Sequence, residues 1–173
     1  MYYFGYGSNM LTARLQARVP SATPVTAATL RNRELRFHKR SRDGSGKCNV
    51  APVSQDDTCV HGVVFDVSGS DLNALDEAEQ RGRGYEREDV TLEVSSTTLD
   101  AFAYVAQPAY VDDALLPYEW YHALVVAGAH EHDLPSEYVE QIEAVRSYPD
   151  PDQKRRRLHR KILHDAGFPL LSR

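Results

Sequence analysis

The order of hydrophobic patterns along the chain constrains the fold more than any other feature of the sequence. Segments with apolar residues at alternate positions dominate the first two thirds, and segments with helical apolar spacing fill the last third. Strands and helices do not alternate regularly and no repeat is visible, so a parallel βαβ sheet is not expected. We predict a single α+β domain over residues 1–173, with helices flanking a small, curled, barrel-like and mostly antiparallel sheet.

Turn residues and apolar spacing divide the chain further. Strands are expected at residues 2–4, 26–30, 35–38, 49–53, 60–67, 90–94 and 101–106. Helices are expected directly after residue 9, at 68–79, 118–129 and 135–145, and as a basic C-terminal helix at about 150–167. The polar turn at 41–47 separates two of the strands.

Charge and cysteine content narrow the functional class. The net charge of -5 and the pI near 5.8 argue against a general role at nucleic acids or membrane surfaces. No apolar run is long enough to span a bilayer and the N-terminus lacks a basic signal-peptide start, so a cytoplasmic protein is expected. Cys48 and Cys59 are expected to be reduced, with a hairpin disulfide as the alternative. No Cys/His cluster has zinc-site spacing, so no metal is expected.

A basic run near the C-terminus, residues 154–161, has two interpretations. It resembles a nucleic-acid patch in composition. However, Leu158 and Ile162 recur at i, i+4, which predicts an amphipathic helix with a solvated basic face. The acidic balance of the whole chain favours the second interpretation, so no nucleic-acid partner is expected.

A Tyr-Gly-Ser-Asn stretch at residues 6–9 follows the first strand. A dinucleotide fingerprint would need glycine where the chain has Met10, and a P-loop would need Ser or Thr where Cys48 follows Gly-Lys. Two interpretations remain. The turn exposes backbone N–H groups that suit a carboxylate or an oxyanion, or it is an ordinary tight turn in which Ser8 or Asn9 caps the next helix.

A glutamate lies on the expected buried face of the helix at 71–79. With 100° per residue, Leu72 and Leu75 define the inward stripe, and Glu79 falls between them. Asp76 lies on the flank and Glu77 points away. Partial burial and a helix C-terminus both favour a proton on a carboxylate, as a general base near neutrality requires. The alternative is a frayed helix end with a solvated Glu79.

The loop and the helix together resemble the gamma-glutamylcyclotransferase family, in which a Tyr-Gly-Ser-Asn loop faces a glutamate from a Leu-Asp-x-x-Glu helix. The similarity covers about residues 2 to 146, with several separated motifs in the same order. They are Tyr6-Gly7-Ser8-Asn9, Leu75-Asp76-Glu77-Ala78-Glu79, Tyr85 in Gly-x-Gly-Tyr, Tyr104 in a strand, Tyr121 in Trp-Tyr-His-Ala-Leu-Val-Val-Ala-Gly-Ala, and Leu134-Pro-Ser-Glu-Tyr138.

The resemblance implies an enzyme that closes 5-oxoproline from a γ-glutamyl compound and releases an amine or amino acid. It implies a small-molecule γ-glutamyl substrate, no cofactor or metal, and a homodimer, with Glu79 as the general acid and base. The substrate-binding residues expected by similarity are Tyr3, Phe4, Gly5, Tyr6, Gly7, Ser8, Asn9, Tyr85, Tyr104 and Tyr121.

The sequence departs from the family at two positions and leaves rival functions open. Gln80 stands where glycine often follows the catalytic glutamate, and Gly5 replaces a common alanine. One rival is a deacylase that removes a γ-glutamyl group from a biosynthetic intermediate with the same residues. Another is a non-catalytic γ-glutamyl-binding module, against which the buried-stripe position of Glu79 argues.

Overall fold

The computed structural model describes residues 1–53 and 58–168. The predicted domain of residues 1–173 therefore extends outside the described residues at 54–57 and 169–173. The strands are β1 (Tyr2–Gly5), β2 (Thr23–Arg31), β3 (Arg33–Arg40), β4 (Gly46–Pro52), β5 (Cys59–Asp66), β6 (Tyr85–Val94) and β7 (Thr97–Ala106). The helices are α1 (Thr12–Gln16), α2 (Leu72–Glu79), α3 (Glu119–Glu131), α4 (Ser136–Glu143) and α5 (Gln153–Asp165).

Five strands form a closed barrel in the order β1-β5-β2-β6-β7. Neighbouring strands are antiparallel except at the closure, where β1 meets β7 in parallel at Tyr3 and Phe102. Apolar side chains such as Phe4, Val64 and Leu92 are fully buried. The prediction of an α+β domain with a curled, barrel-like sheet flanked by helices is confirmed.

A separate two-stranded sheet contacts the barrel, and α3 packs on the turn after β1. Strands β3 and β4 form a two-stranded sheet of their own, and α3 packs on the 3-10 turn Ser8–Met10 that follows β1. This close approach requires Gly128 of α3, because a Cβ at that position would lie 2.5 Å from the Leu11 backbone nitrogen. The turn after β1 is therefore held between the barrel and α3.

The prediction that Ser8 or Asn9 caps a helix is wrong. The chain passes through the 3-10 turn and α1 begins only at Thr12, and neither element has a side-chain cap. The Ser8 hydroxyl instead accepts a hydrogen bond from Arg14 Nε at 3.0 Å. The Asn9 side chain is buried and points toward α2, where it has a different partner.

The predicted inward stripe of the basic helix is also wrong in part. Leu158 is exposed, whereas Leu163 is buried and Ile162 is half-buried. The inward face is displaced because the His159 ring stacks on Trp120, with ring centroids 3.7 Å apart. Nor is the basic face simply solvated, since Arg156 and Arg160 pair with Glu119 of α3. Over residues 1–53 and 58–168, no helix is long and apolar enough to cross a membrane.

Candidate active site

A small cavity lies where the turn after β1 meets α2, β4, the β6–β7 pair and α3. The space between its walls, including the part open to solvent, is about 290 Å³. Its lining residues are Tyr3, Tyr6, Gly7, Ser8, Asn9, Cys48, Glu79, Tyr85, Tyr104 and Tyr121. The structure thus brings together Glu79 and all but two of the residues predicted to bind substrate.

The two exceptions are Phe4 and Gly5. The Phe4 side chain is fully buried in the core and does not line the cavity. Gly5 ends β1 opposite Val63 of β5. A Cβ at Gly5 would meet only ordinary contacts, the nearest being Phe65 Cε2 at 3.4 Å. Both residues support the loop from beneath.

Glu79 is held at a closed helix end rather than a frayed one. Gln80 adopts the left-handed conformation with φ 58°. The backbone N–H of Gln80 donates to the Glu77 carbonyl at 3.1 Å, and that of Arg81 donates to the Asp76 carbonyl at 2.9 Å. These two bonds form a Schellman motif, which fixes Glu79 as the last residue of α2.

Two segments bind the Glu79 carboxylate: the turn after β1 and the turn after α1. Its Oε1 accepts hydrogen bonds from Asn9 Nδ2 at 2.9 Å and from Arg18 Nη1 at 3.3 Å. The Glu79 side chain is only 17% exposed. Within the described residues Oε2 has no hydrogen-bond donor. One carboxylate oxygen is therefore anchored, and the other has no hydrogen-bond donor among the described residues.

One turn earlier, Asp76 anchors α2 to the barrel. Its Oδ1 accepts hydrogen bonds from Tyr104 Oη and Arg87 Nε, each at 2.7 Å. Burial acts to raise the pKa of Asp76, but hydrogen bonds from Tyr104, Arg81 and Arg87 outweigh it and hold that pKa below its usual value. Tyr104 thus lines the cavity with its ring while its hydroxyl holds the helix that carries Glu79.

The other cavity tyrosines are buried and hydrogen-bonded. The Tyr3 hydroxyl accepts from Asn9 Nδ2 at 3.1 Å, and Tyr6 donates to the Tyr104 carbonyl. Tyr121 accepts from the Cys48 N–H at 3.0 Å, and Tyr85 donates to the Cys48 carbonyl. Burial raises the pKa of Tyr3, Tyr6, Tyr85 and Tyr121 well above the usual value. The cavity wall therefore consists of neutral hydroxyls in fixed positions.

Cys48 and Arg18 were not among the predicted site residues. Cys48 and Cys59 are both free thiols, and burial raises the pKa of Cys48 to about 12. The thiol is thus neutral near pH 7 and contributes shape rather than a nucleophile. Neither Cys48 nor Arg18 belongs to a local sequence motif. Strand β4 positions Cys48 at the cavity, and the turn after α1 positions Arg18 beside Glu79.

No group of three or more His, Cys, Asp or Glu side chains in the described part of the chain could hold a metal ion.

A cavity of this kind combines one partly buried carboxylate, a backbone turn and a wall of neutral hydroxyls. Residues 3–123 match the family model described as gamma-glutamyl cyclotransferase, AIG2-like. The chain belongs to this family. Its predicted assignment to gamma-glutamylcyclotransferase-like enzymes is confirmed by that match and by the named relatives.

Individual relatives support the same assignment. The chain is 33% identical over 149 residues to gamma-glutamylcyclotransferase of Homo sapiens, which covers 83% of this chain and 77% of the human protein. It is 31% identical to the Mus musculus gamma-glutamylcyclotransferase over the same shares. A solved structure named gamma-glutamyl cyclotransferase superposes with a TM-score of 0.82 at 26% identity, over 93% of this chain and 98% of that one.

Proposed function

We propose that this protein is a gamma-glutamylcyclotransferase that converts a γ-glutamyl amino acid or amine to 5-oxoproline and the free amine. The observation that carries the proposal is the position of Glu79. Its carboxylate is anchored through one oxygen and lies in a small, tyrosine-lined cavity against the Tyr-Gly-Ser-Asn turn. A carboxylate in that position can serve as a general base for an amine held in the same cavity.

The reaction is an intramolecular aminolysis. The substrate's own α-amine attacks its γ-carbonyl carbon, a new C–N bond closes the five-membered ring, and the original amide C–N bond breaks. Two protons leave the attacking nitrogen and two reach the departing nitrogen. Glu79 can carry each in turn, first accepting a proton from the α-ammonium and then donating it to the leaving amine.

The turn at residues 6–9 would stabilise the negative charges of the substrate and of the reaction intermediate. Backbone N–H groups at the start of a 3-10 turn lack partners within the turn, and they suit the α-carboxylate and the oxyanion on the γ-carbon. Each well-placed oxyanion donor contributes typically ~3 kcal/mol to transition-state stabilisation. The buried tyrosine wall would fold the flexible γ-glutamyl chain toward its ring-closing conformation.

Substitution of the base tests this mechanism. Glu79→Gln should reduce the rate of 5-oxoproline release at least ~100-fold, because the amide cannot accept the proton. Glu77→Gln is a matched control, since it makes the same change two residues earlier on the exposed side of α2. It should retain the parent rate. A Glu79→Gln variant as fast as Glu77→Gln would remove Glu79 from the mechanism.

The cellular setting remains a prediction. We propose a cytoplasmic enzyme of γ-glutamyl peptide turnover in glutathione metabolism, which the two free thiols support because thiols persist in reducing compartments. We also keep the homodimer as a prediction, and light scattering on the eluted protein measures its mass directly. The deacylase rival predicts that bulky γ-glutamyl amines of biosynthetic intermediates outcompete simple γ-glutamyl amino acids as substrates.

A further inference from the structure

A second and larger cavity adjoins the first on the far side of Glu79. It holds about 660 Å³ of empty space and shares Ser8, Glu79, Tyr85 and Tyr121 with the first cavity. Five cationic side chains line it, whereas only two carboxylates do. The cations are Arg14, Arg18, Lys39, Lys47 and Arg155, and the carboxylates are Asp43 and Glu79.

Three of the five cations have a carboxylate partner. Lys47 Nζ lies 2.8 Å from Asp43 Oδ2, and Arg18 pairs with Glu79 as described above. Arg155 Nε lies 2.5 Å from the buried Asp150, which does not line the cavity. Among the described residues, the other two cations have no carboxylate within ion-pair distance.

Lys39 and Arg14 are the two buried cations that form no ion pair among the described residues. Lys39 is 3% exposed, and within residues 1–53 and 58–168 its ammonium has no hydrogen bond or ion pair, only the face of the Tyr85 ring at 4.4 Å. Arg14 is 5% exposed, and its described hydrogen-bond partners are Ser8 Oγ at 3.0 Å and His159 Nδ1 at 3.3 Å. Burying a cation without an ion-pair partner costs free energy, and an anionic ligand in the cavity would offset that cost.

The electrostatic state of the neighbours agrees with an excess of positive charge. Burial and then the nearby Arg18 lower the pKa of Arg14 to about 9. Burial and the surrounding cations lower the pKa of His159 to about 3, so this imidazole is neutral and adds no charge of its own. Burial also lowers the pKa of Lys39, although Glu79 and Asp43 oppose that effect.

The position of Glu79 determines which part of a substrate reaches this cavity. The carboxylate must reach both the attacking and the departing nitrogen, and it lies on the border between the two cavities. The ring-forming γ-glutamyl part fits the smaller, tyrosine-lined cavity. The substituent on the departing nitrogen then extends past Glu79 into the larger, cationic cavity.

We propose that the cationic cavity binds an acidic leaving amine, one that carries two carboxylates, with Lys39 and Arg14 as its binding residues. This inference rests on the proposed cyclotransferase function. Each of these two buried cations can pair with one anionic group, whereas a neutral amine would leave both without an ion pair. The C-terminal helix α5 contributes Arg155 and His159 to the cavity, although it lies outside the residues matched by the family model.

A substrate panel tests the proposal through 5-oxoproline release. The three substrates are γ-glutamyl-aspartate, γ-glutamyl-alanine and γ-glutamyl-ethylamide, which place two, one and no carboxylates on the leaving side. We expect kcat/KM to fall about 10-fold with each carboxylate removed, the lower end for a hydrogen bond to a charged group. Equal kcat/KM for the three substrates would overturn the proposal.

Variants assign the effect to the cavity. Lys39→Gln should reduce the ratio of kcat/KM for the aspartate substrate over the ethylamide substrate about 10-fold. Arg157→Gln removes the same charge from an exposed position of α5 that lines neither cavity, and it should keep the wild-type ratio. If Lys39→Gln lowers kcat/KM equally for all three substrates, Lys39 binds the α-carboxylate instead and the proposal is overturned.

A binding measurement separates this proposal from the proposed function. Trp120 is the chain's only tryptophan and lines the cationic cavity, so its fluorescence reports on occupancy there. Aspartate should change the fluorescence at lower concentrations than alanine, and Lys39→Gln should abolish the difference. Absence of 5-oxoproline from every substrate would contradict the cyclotransferase function. A fluorescence response that does not distinguish aspartate from alanine would overturn the acidic-ligand inference.

Discussion

Gly7 is placed so that the loop can approach the opposite wall of the active site. A Cβ at this position would lie 3.0 Å from Cys48 Cβ and 3.2 Å from Tyr121 Oη. Both neighbours are buried and joined by a hydrogen bond, so they have little room to yield. The role of Gly7 is therefore to allow close contact between the loop and the cavity wall, and its conformational freedom matters less.

Alanine substitutions at the two loop glycines should separate these effects. Gly7→Ala should displace Tyr121 or the loop and lower kcat/KM for 5-oxoproline release about 10-fold or more, because small displacements of positioning groups slow reactions strongly. Gly5→Ala meets only ordinary contacts and should stay within about twofold of the parent. Equal activity of the two variants would show that the contacts of Gly7 do not position the site.

Residues carried by local motifs could be predicted from the sequence, whereas isolated ones could not. The spacing of Leu72, Leu75 and Glu79 on one helix indicated the buried carboxylate, and the structure places it in the cavity. Lys39 and Arg18 gave no such signal, because each depends on how distant elements pack. The direction of the Asn9 side chain could not be predicted either, because the sequence does not distinguish a helix-capping asparagine from a buried one.

At the scale of elements, the end of α2 has a backbone conformation that is uncommon for a residue with a side chain. Gln80 is left-handed, with φ 58°. The left-handed conformation destabilises a residue that has a Cβ by roughly 1–2 kcal/mol. Replacement by glycine would remove this strain, but the greater conformational entropy of glycine in the unfolded chain would offset about 0.5–1 kcal/mol of the stabilisation. The helix therefore ends in a strained residue directly after the proposed base.

Relief of that strain is measurable. Gln80→Gly should raise the free energy of unfolding by about 0.5–1 kcal/mol, as measured by denaturant titration. Gln80→Ala keeps the Cβ and the strain, so it should not stabilise the protein and serves as the control. If Gln80→Gly is no more stable than Gln80→Ala, the left-handed end of α2 is not a source of strain.

The boundaries of the elements show where sequence patterns are reliable. Strands 2–4 and 60–67 were close to β1 and β5, because alternating apolar residues continue through them. The inward face of α5 was mistaken because polar residues make part of its inward contacts: Arg155 binds Asp150 and His159 stacks on Trp120. A hydrophobic stripe cannot predict a face that packs through charged and aromatic pairs.

At the scale of the whole molecule, burial of four cavity tyrosines should make stability depend on alkaline pH. Burial raises the pKa of Tyr3, Tyr6, Tyr85 and Tyr121, whereas the unfolded chain ionises near pH 10. Their contribution is therefore fully present below pH 10 and is lost as pH rises above it. Each such tyrosine lowers the free energy of unfolding by about 1.4 kcal/mol per pH unit in that range.

Denaturant titrations between pH 9 and pH 11 would measure this slope. Above pH 10, Tyr85→Phe should make the slope shallower by up to about 1.4 kcal/mol per pH unit, because the unfolded chain then has one hydroxyl fewer to ionise. Tyr2→Phe removes an exposed hydroxyl and should keep the parent slope. An unchanged slope in Tyr85→Phe would mean that this hydroxyl does not contribute to the alkaline loss of stability.

One cavity, formed by the barrel, α2 and α3, can hold a substrate amine and its γ-carbonyl beside Glu79. The proposal is that this site catalyses cyclisation. Reaction of a γ-glutamyl amino acid in ¹⁸O-labelled water, followed by mass spectrometry, tests that claim most directly. Cyclisation predicts 5-oxoproline without ¹⁸O, since water takes no part in bond formation. Glutamate carrying one ¹⁸O atom as the product would show hydrolysis and would contradict the account.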